Sequence, residues 1–272
     1  MDALYLRIGH RFISDTMSID EIEISRRIVG RFFEEFIDSL ELDVARAGAG
    51  PSGLTAARYL AGAGRKVAIF ERKLSPGGGM WGGGIGYPVV IVQEESKEIL
   101  EECGVKLKDE GSGYYSASSI EAVSKLCASA VDNGAKIFNG FSVEDVVVRD
   151  EKISGLVINL SAIEFANLDV DPICIRAKYS IDATGHPAEI CKVVEEKIGR
   201  LNTPTGKIEK EGYMHPDLGE KMVVENTREV YPGLFVTGMA ANAVFGAPRM
   251  GPIFGGMLLS GKKAAEEILK RL

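Results

Sequence analysis

Three glycines and one acidic residue stand out by their spacing. Gly48, Gly50 and Gly53 form a G-x-G-x-x-G pattern, and Glu71 follows 18 positions after the last of them. In such a pattern the first glycine makes a tight turn, the second lets a pyrophosphate approach the backbone, and the third allows close helix packing. An acidic residue at this distance can accept hydrogen bonds from a ribose. The spacing therefore predicts a dinucleotide-binding site.

The segments around these glycines are those that the pattern requires. Residues 42–47 predict a strand, residues 51–63 a helix rich in alanine and leucine, and residues 66–70 a second strand. This order places the free N–H groups of a helix N-terminus next to the phosphates. Arg46 is an anomaly, because it lies in a strand that should be buried on both faces. We expect it to lie near the sheet edge or to reach solvent.

His186 follows a further short strand, residues 181–183, and a glycine turn in the stretch IDATGHPAE. Ligands of α/β proteins bind outside the carboxyl ends of the strands, so this position suits a functional residue. A solvated loop histidine would have the same local sequence. The position alone does not decide between the two interpretations.

Other segments predict how the rest of the domain is built. Seven of the ten residues 77–86 are glycine, but the apolar Met80, Trp81 and Ile85 among them argue against a flexible linker. This segment is expected to close over a ligand. Residues 94–103 and 117–133 have the apolar periodicity of helices, and the C-terminal segment predicts a strand, a glycine-rich turn and a long helix.

Residues from about 141 to 180 predict a β-meander inserted into this domain. A hairpin with its turn at residues 150–152 is followed by two further short strands. Such an excursion after a strand–helix–strand unit is typical of the FAD/NAD(P)-binding Rossmann-like fold of the glutathione-reductase type. We therefore expect one α/β domain over residues 1–272, with a dinucleotide-binding part at 41–272 and an N-terminal helical arm at 1–40.

The N-terminal arm has the signature of an amphipathic helix. Ser18 and Glu21 have the spacing of a capping box. Apolar residues then recur at helical intervals between Ile24 and Leu40. We expect this helix to pack on the main domain or on a neighbouring subunit.

Composition excludes several classes of protein. The 32 basic and 39 acidic residues give a formal net charge of −7, and no basic stripe is present that would bind nucleic acid. No apolar run is long enough for a signal peptide or a membrane span, so no membrane partner is expected. The four cysteines have neither zinc-site nor disulfide-framework spacing. These features predict a cytoplasmic protein.

The expected flavin marker is missing near the C-terminus. Flavoproteins of this fold usually end a strand there in Gly-Asp, and the aspartate binds the ribityl chain. In the stretch GLFVTGMAAN, Gly238 is present but Met239 occupies the acidic position. The sequence therefore favours NAD or another ADP-bearing molecule over FAD.

Nearly the whole domain resembles the thiamine thiazole synthase family, in particular its archaeal, sulfide-dependent branch. The resemblance is carried by GAGPSGLTAA, FERKLSPGGGMWGGG, SVEDVV, VDP, IDATGH, VVENTREVYPGLFVTGMA and PRMGPIFGGMLLSGKKAAEEI, between residues 48 and 268. It implies an enzyme that uses NAD as a substrate and releases nicotinamide. The ADP-ribose part, glycine and a sulfur source would then form an adenylated thiazole carboxylate, in a homo-oligomer that could be an octamer.

The resemblance also implies roles for individual residues. The positions that contact the nucleotide are Ser52, Glu71, Arg72, Gly79, Val143 and Met239. Arg249 matches the arginine that binds the carboxylate of glycine, for which a guanidinium is well shaped. Asp171 and His186 resemble the ligands of a ferrous ion, with the histidine supplied by the adjacent protomer, and open positions on Fe(II) suit substrate binding.

Asp169 departs from the family pattern. Some members have a cysteine there that donates its own sulfur, and archaeal members commonly have histidine. An aspartate cannot donate sulfur, so the residue is expected to take part in proton transfer, to contact the nucleotide or to lie in a solvated loop. The sulfur would come from free sulfide. Three alternatives remain open: a ribose 1,5-bisphosphate isomerase, a nucleotide-binding homologue without catalysis, and a flavin oxidoreductase.

Overall fold

The computed structural model describes residues 19–272, which belong to two compact units. The first unit is residues 1–38, and its described part contains the helix α1 (Glu21–Asp38). The Asp20 carboxylate accepts hydrogen bonds from the N–H groups of Ile22 (2.8 Å) and Glu23 (2.9 Å) at its N-terminus. The predicted helix is confirmed, whereas Ser18 of the predicted capping box lies outside the described residues. Most apolar side chains of α1 are exposed.

The second unit, residues 39–272, is built on the predicted strand–helix–strand order. The glycine motif lies between β1 (Glu41–Ala47) and α2 (Pro51–Gly62), and β2 (Val67–Glu71) follows. β1 pairs in parallel with β2 on one side and with β9 (Ile173–Asp182) on the other. Beyond them the sheet continues through β6 (Lys136–Asn139) at one end and through β11 (Leu234–Val236) and the antiparallel β10 (Arg228–Tyr231) at the other. This sheet confirms the predicted Rossmann-like α/β fold.

The expectation for Arg46 is wrong. Its strand, β1, is central in the sheet, and Arg46 pairs with Ile69 on one side and Ile181 on the other. Its side chain is 0% exposed, so it neither lies at the edge nor reaches solvent. The guanidinium instead lies beneath the glycine turn, where it donates a hydrogen bond to the carbonyl of Gly48 (2.9 Å).

A second, smaller sheet was not expected from the sequence. It is antiparallel and consists of β3 (Val89–Gln93), β4 (Lys108–Gly111) and β5 (Tyr114–Ser118). The helices α3 (Glu94–Glu102) and α4 (Ser119–Asp132) confirm the two that periodicity predicted. The glycine-rich segment forms a 3-10 helix at Gly78–Gly82.

The predicted β-meander is present. β7 (Phe141–Arg149) and β8 (Lys152–Leu160) form a hairpin whose turn residues, Asp150 and Glu151, both have positive φ, as in a tight two-residue turn. The two short strands predicted next are in fact the single strand β9. Its first residues pair with β8 and the rest pair with β1, so one strand joins the meander to the main sheet.

Five helices complete the second unit: α5 (Ser161–Phe165), α6 (Glu189–Ile198), α7 (Pro216–Glu225), α8 (Met239–Phe245) and α9 (Gly255–Leu269). α9 is the predicted C-terminal helix, and α8 starts in the stretch that was expected to be a turn. α9 packs closely on α2, because a Cβ at Gly261 would lie 2.2 Å from the carbonyl oxygen of Ser52. Within residues 19–272, no helix combines the length and apolar character needed to cross a bilayer.

Candidate functional site

A cavity of about 1020 Å³ opens at the carboxyl ends of the parallel strands. Its walls include Gly48 after β1, Glu71 at the end of β2, His186 after β9 and Met239 after β11. Four strands of one sheet thus place their C-terminal residues around one space. This is where open α/β sheets bind their ligands.

The glycine turn forms one wall of the cavity and has little room for side chains. Gly48 has φ +91°, and a Cβ there would lie 2.4 Å from the carbonyl oxygen of Ala183. A Cβ at Gly50 would meet open space, so the cavity side of the turn is uncovered. A Cβ at Gly53 would lie 2.0 Å from Nη2 of Arg46 and 2.7 Å from the carbonyl oxygen of Gly48. Gly53 therefore permits close packing of the helix, as predicted, but against a guanidinium as well as against backbone.

Glu71 is held by the backbone at the cavity wall. Its side chain is 7% exposed. One carboxylate oxygen accepts a hydrogen bond from the N–H of Ala49 (2.7 Å), and the other accepts one from the N–H of Lys73 (2.9 Å). The two backbone hydrogen bonds fix the carboxylate in place. Each oxygen can accept a further hydrogen bond, for example from a hydroxyl group.

The start of α2 offers donors to the same space. Gly50 is the N-cap residue, Pro51 begins the helix, and the buried Ser52 lines the cavity. The first N–H groups of a helix have no partner within the helix and carry its positive dipole end. This wall is therefore suited to an anion such as a diphosphate.

The other nucleotide-contacting positions implied by the resemblance also line the cavity. Gly79 belongs to the glycine-rich segment, which is tied to the glycine turn by a hydrogen bond from Gly77 N–H to the carbonyl of Ala49 (2.7 Å). Val143 comes from the start of β7. Arg72 and Met239 complete the set.

Arg72 is already paired with an acidic neighbour. Its guanidinium lies 2.8 Å from a carboxylate oxygen of Glu189. Burial raises the pKa of Glu189, and the positive charge of Arg72 opposes that rise. The arginine side chain is 46% exposed, so a ligand could still reach its other nitrogen atoms.

His186 lines the cavity and is oriented by a carboxylate. Nδ1 of His186 lies 2.6 Å from a carboxylate oxygen of Glu211. When Nδ1 carries the proton and donates a hydrogen bond to Glu211, Nε2 is unprotonated and its lone pair can bind a metal ion. Carboxylates commonly orient metal-binding histidines in this way. The contact favours a functional role for His186 over the solvated-loop interpretation.

The loop that carries His186 is organised by a buried acid, Asp182, at the end of β9. One oxygen of Asp182 accepts hydrogen bonds from the N–H (3.0 Å) and the hydroxyl (2.7 Å) of Thr184, and the other accepts one from the N–H of Cys191 (2.9 Å). The side chain is 0% exposed. The sequence-based prediction missed both Asp182 and Glu211, although Asp182 stands within the IDATGH motif.

Arg249 lies on the cavity wall with an exposed side chain and a fixed backbone. Its N–H donates to the carbonyl of Tyr213 (3.0 Å), and its carbonyl accepts from the N–H of His215 (3.1 Å). The buried Asn242 amide also donates to the carbonyl of the preceding residue, Pro248 (3.3 Å). A guanidinium carried on a backbone held in this way can receive a small carboxylate.

Three predicted site residues do not line the cavity: Gly53, which packs behind the turn, and Asp169 and Asp171. Both aspartates lie in the exposed segment between α5 and β9. In residues 19–272, no cluster of three or more histidine, cysteine, aspartate or glutamate side chains is arranged to hold a metal ion. Cys174, at the end of β9 that pairs with β8, is exposed as well.

The comparisons with known proteins agree with this geometry. The model of the Thi4 family matches residues 25–254. A thiamine thiazole synthase from Methanothermobacter thermautotrophicus is 58% identical over 94% of this chain and 100% of its own length. One from Pyrococcus horikoshii is 54% identical over 93% of this chain and 98% of its own length. The crystal structure of Thermovibrio ammonificans THI4 superposes with a TM-score of 0.92 at 47% identity, over 93% of this chain and 99% of that one. This chain belongs to the Thi4 family.

Proposed function

We propose that this protein is a thiamine thiazole synthase of the transferase type. It would convert NAD, glycine and sulfide into an ADP-thiazole carboxylate, with release of nicotinamide, in thiamine biosynthesis. The observation that carries the proposal is one cavity, in a Thi4-family chain, that joins a dinucleotide-binding turn, Glu71 and Arg249. Each of these features suits one part of the chemistry.

The ADP part of NAD occupies the glycine-turn side of the cavity in this proposal. The Glu71 carboxylate accepts hydrogen bonds from the adenosine ribose, and the N-terminus of α2 receives the diphosphate. Ser52, Gly79, Val143 and Met239 form the surrounding walls. This leaves the reactive ribose for the part of the cavity that His186 and Arg249 line, where the Arg249 guanidinium binds the carboxylate of glycine.

The residues present fit an Fe(II) site that two copies of the chain would share. The contact between Nδ1 of His186 and Glu211 leaves Nε2 available as a ligand, and Asp171 is exposed on a different part of the surface. We assign these two side chains as the ligands. Fe(II) bound there would act as a Lewis acid that polarises substrate oxygen and holds sulfide. A shared site requires a homo-oligomer. The resemblance to the family implies an octamer, and we include it in the proposal.

The loop that carries Asp171 supports this sharing. Three large apolar side chains next to the aspartates are exposed, namely Phe165 (80%), Leu168 (59%) and Val170 (48%). Apolar side chains grouped in this way are typical of a protein–protein contact. A second copy that covers them would bring Asp171 towards its own cavity and its own His186.

Sulfide supplies the sulfur in this proposal, because the Asp169 side chain contains none. Its carboxylate would contact the nucleotide or transfer a proton once the second copy is in place. All four cysteines are free thiols. This suits the reducing cytoplasm in which we place the enzyme. The partners are then small molecules, without nucleic acid or membrane.

The test is to denature the purified protein under anaerobic conditions and identify the released small molecules by mass. An ADP-thiazole carboxylate or ADP-ribose fragments of NAD support the proposal. A released flavin would indicate an oxidoreductase, and a ribose bisphosphate would indicate the isomerase. If nothing is released, NAD and FAD are titrated separately, and preference for FAD contradicts the proposal.

A further inference from the structure

Arg46 is an unexplained buried cation in the middle of the parallel sheet. It lies on β1 between β2 and β9, and its side chain is 0% exposed. The strands of a parallel sheet are buried on both faces and usually carry apolar side chains. A charge at this position is costly unless something compensates for it.

The contacts within the chain compensate for it only in part. Nη2 donates to the carbonyl of Gly48 (2.9 Å). Nε and Nη1 are buried and have no hydrogen-bond partner among the described residues. The negative charge of Glu71 acts on the group, but the two carboxylate oxygens accept hydrogen bonds from the backbone of Ala49 and Lys73 instead.

The guanidinium lies directly behind the glycine turn. The Cβ that Gly53 lacks would lie 2.0 Å from Nη2, so the guanidinium occupies the space beside Gly53. Gly48, Gly50 and Ser52 line the cavity on the other side of the turn, whereas Arg46 does not line it. The cation thus lies against the turn but outside the cavity in which the diphosphate is proposed to bind.

The charge is present at neutral pH and is weakly screened. Burial lowers the pKa of Arg46 to about 9, and the nearby Glu71 carboxylate opposes that shift. The group therefore remains protonated at pH 7. Around it are backbone and buried side chains instead of water, so its field extends further than that of a surface arginine. This field has the same sign as the dipole at the N-terminus of α2.

We propose that Arg46 is an electrostatic determinant of diphosphate binding, which acts through the glycine turn without touching the ligand. This inference rests on the proposed function, because it assumes that an ADP group occupies the cavity. It differs from the role of the glycine motif, which supplies N–H groups and space. The bound diphosphate would add its negative charge to that of Glu71.

The test compares ligands that differ in charge. Calorimetry would measure the binding of ADP-ribose and of adenosine to the wild type and to the Arg46→Met, Arg46→Gln and Arg46→Lys variants. We expect the two neutral variants to bind ADP-ribose about tenfold more weakly, because a charge in a low-dielectric interior acts over several ångströms. They should bind adenosine within about twofold of the wild type, and Arg46→Lys should retain most of the ADP-ribose affinity. Arg176→Met is the control, since Arg176 is a surface residue with 76% of its side chain exposed.

Each other outcome has a defined meaning. Equal losses for ADP-ribose and adenosine, or no loss for either, would overturn the inference. Failure of both neutral variants to fold, judged by circular dichroism, would also overturn it, because the charge would then serve the fold alone. If the wild type binds neither ADP-ribose nor NAD, the proposed function itself fails. If the wild type and the neutral variants all bind ADP-ribose tightly, only the proposed role of Arg46 is refuted.

Discussion

Replacing Glu71 with alanine should weaken nucleotide binding by an amount that the structure allows us to estimate. The carboxylate is buried, and each of its oxygens already accepts one backbone hydrogen bond. Further bonds from the ribose hydroxyls would be charge-assisted. Net contributions of such bonds give a loss of about 1–3 kcal/mol. This corresponds to an increase of about 5- to 150-fold in the Kd for NAD.

The substitution also removes the acceptor that fixes the glycine turn. The N–H groups of Ala49 and Lys73 both lose their partner, so part of the lost affinity could come from a looser turn. A ligand without ribose hydroxyls separates the two effects. The 2′,3′-dideoxy analogue of ADP should bind the wild type more weakly than ADP does. In Glu71→Ala the difference between ADP and its analogue should nearly disappear.

The assay is calorimetric titration of wild type, Glu71→Ala and a control. Glu110→Ala is a suitable control, because it changes the net charge equally at an exposed site that is not part of the cavity wall. Its affinity for NAD should match that of the wild type. Unchanged NAD affinity in a folded Glu71→Ala protein would refute the ribose assignment. So would a difference between ADP and its analogue that persists in the variant.

Three further predictions concern iron and sulfur. His186→Ala should abolish Fe(II) binding and product formation but leave NAD affinity nearly unchanged, because the proposed ADP contacts lie on the glycine turn. Anaerobic iron titration and calorimetry measure the two effects, and equal iron stoichiometry in wild type and variant would show that His186 is not a ligand. Glu211→Gln should weaken Fe(II) binding by about 10- to 100-fold through loss of the orienting carboxylate; unchanged iron affinity would refute that role. Because Asp169 cannot donate sulfur, anaerobic reactions supplied with sulfide should give more than one product molecule per active site, with no loss of protein mass. A strict single turnover in which the protein loses one sulfur atom would indicate a cysteine donor such as the exposed Cys174.

The strand–helix–strand unit was predictable because its determinants are local. The three glycines, the helix between two apolar strands and Glu71 lie within about thirty residues and depend on little outside them. The long strand β9 was predicted as two because no local signal marks the point where it exchanges β8 for β1 as its partner. The small second sheet was missed because its strands have only four or five residues, and β3 pairs with β5 across the intervening helix α3.

The sequence predicted several residues that line the cavity, but not the side-chain contacts that support them. Glu211 is 25 positions from His186, and only the folded chain shows that their side chains meet. Arg46 is the reverse case. The sequence showed that it was anomalous, but its burial behind Gly53 follows from the central position of β1 in the sheet. In the proposed Fe(II) site Asp171 would come from a second copy of the chain, and the sequence of one chain does not predict that arrangement.

In the proposed reaction this cavity builds a thiazole from NAD, glycine and sulfide. The most direct measurement is an anaerobic reaction with Fe(II), NAD, sulfide and isotopically labelled glycine, followed by mass analysis of all small molecules. We expect equal amounts of nicotinamide and of an ADP-thiazole carboxylate that carries the glycine label, both abolished in an Arg249→Met variant that still binds NAD. Release of nicotinamide without incorporation of glycine, or unchanged product in Arg249→Met, would contradict the proposed reaction.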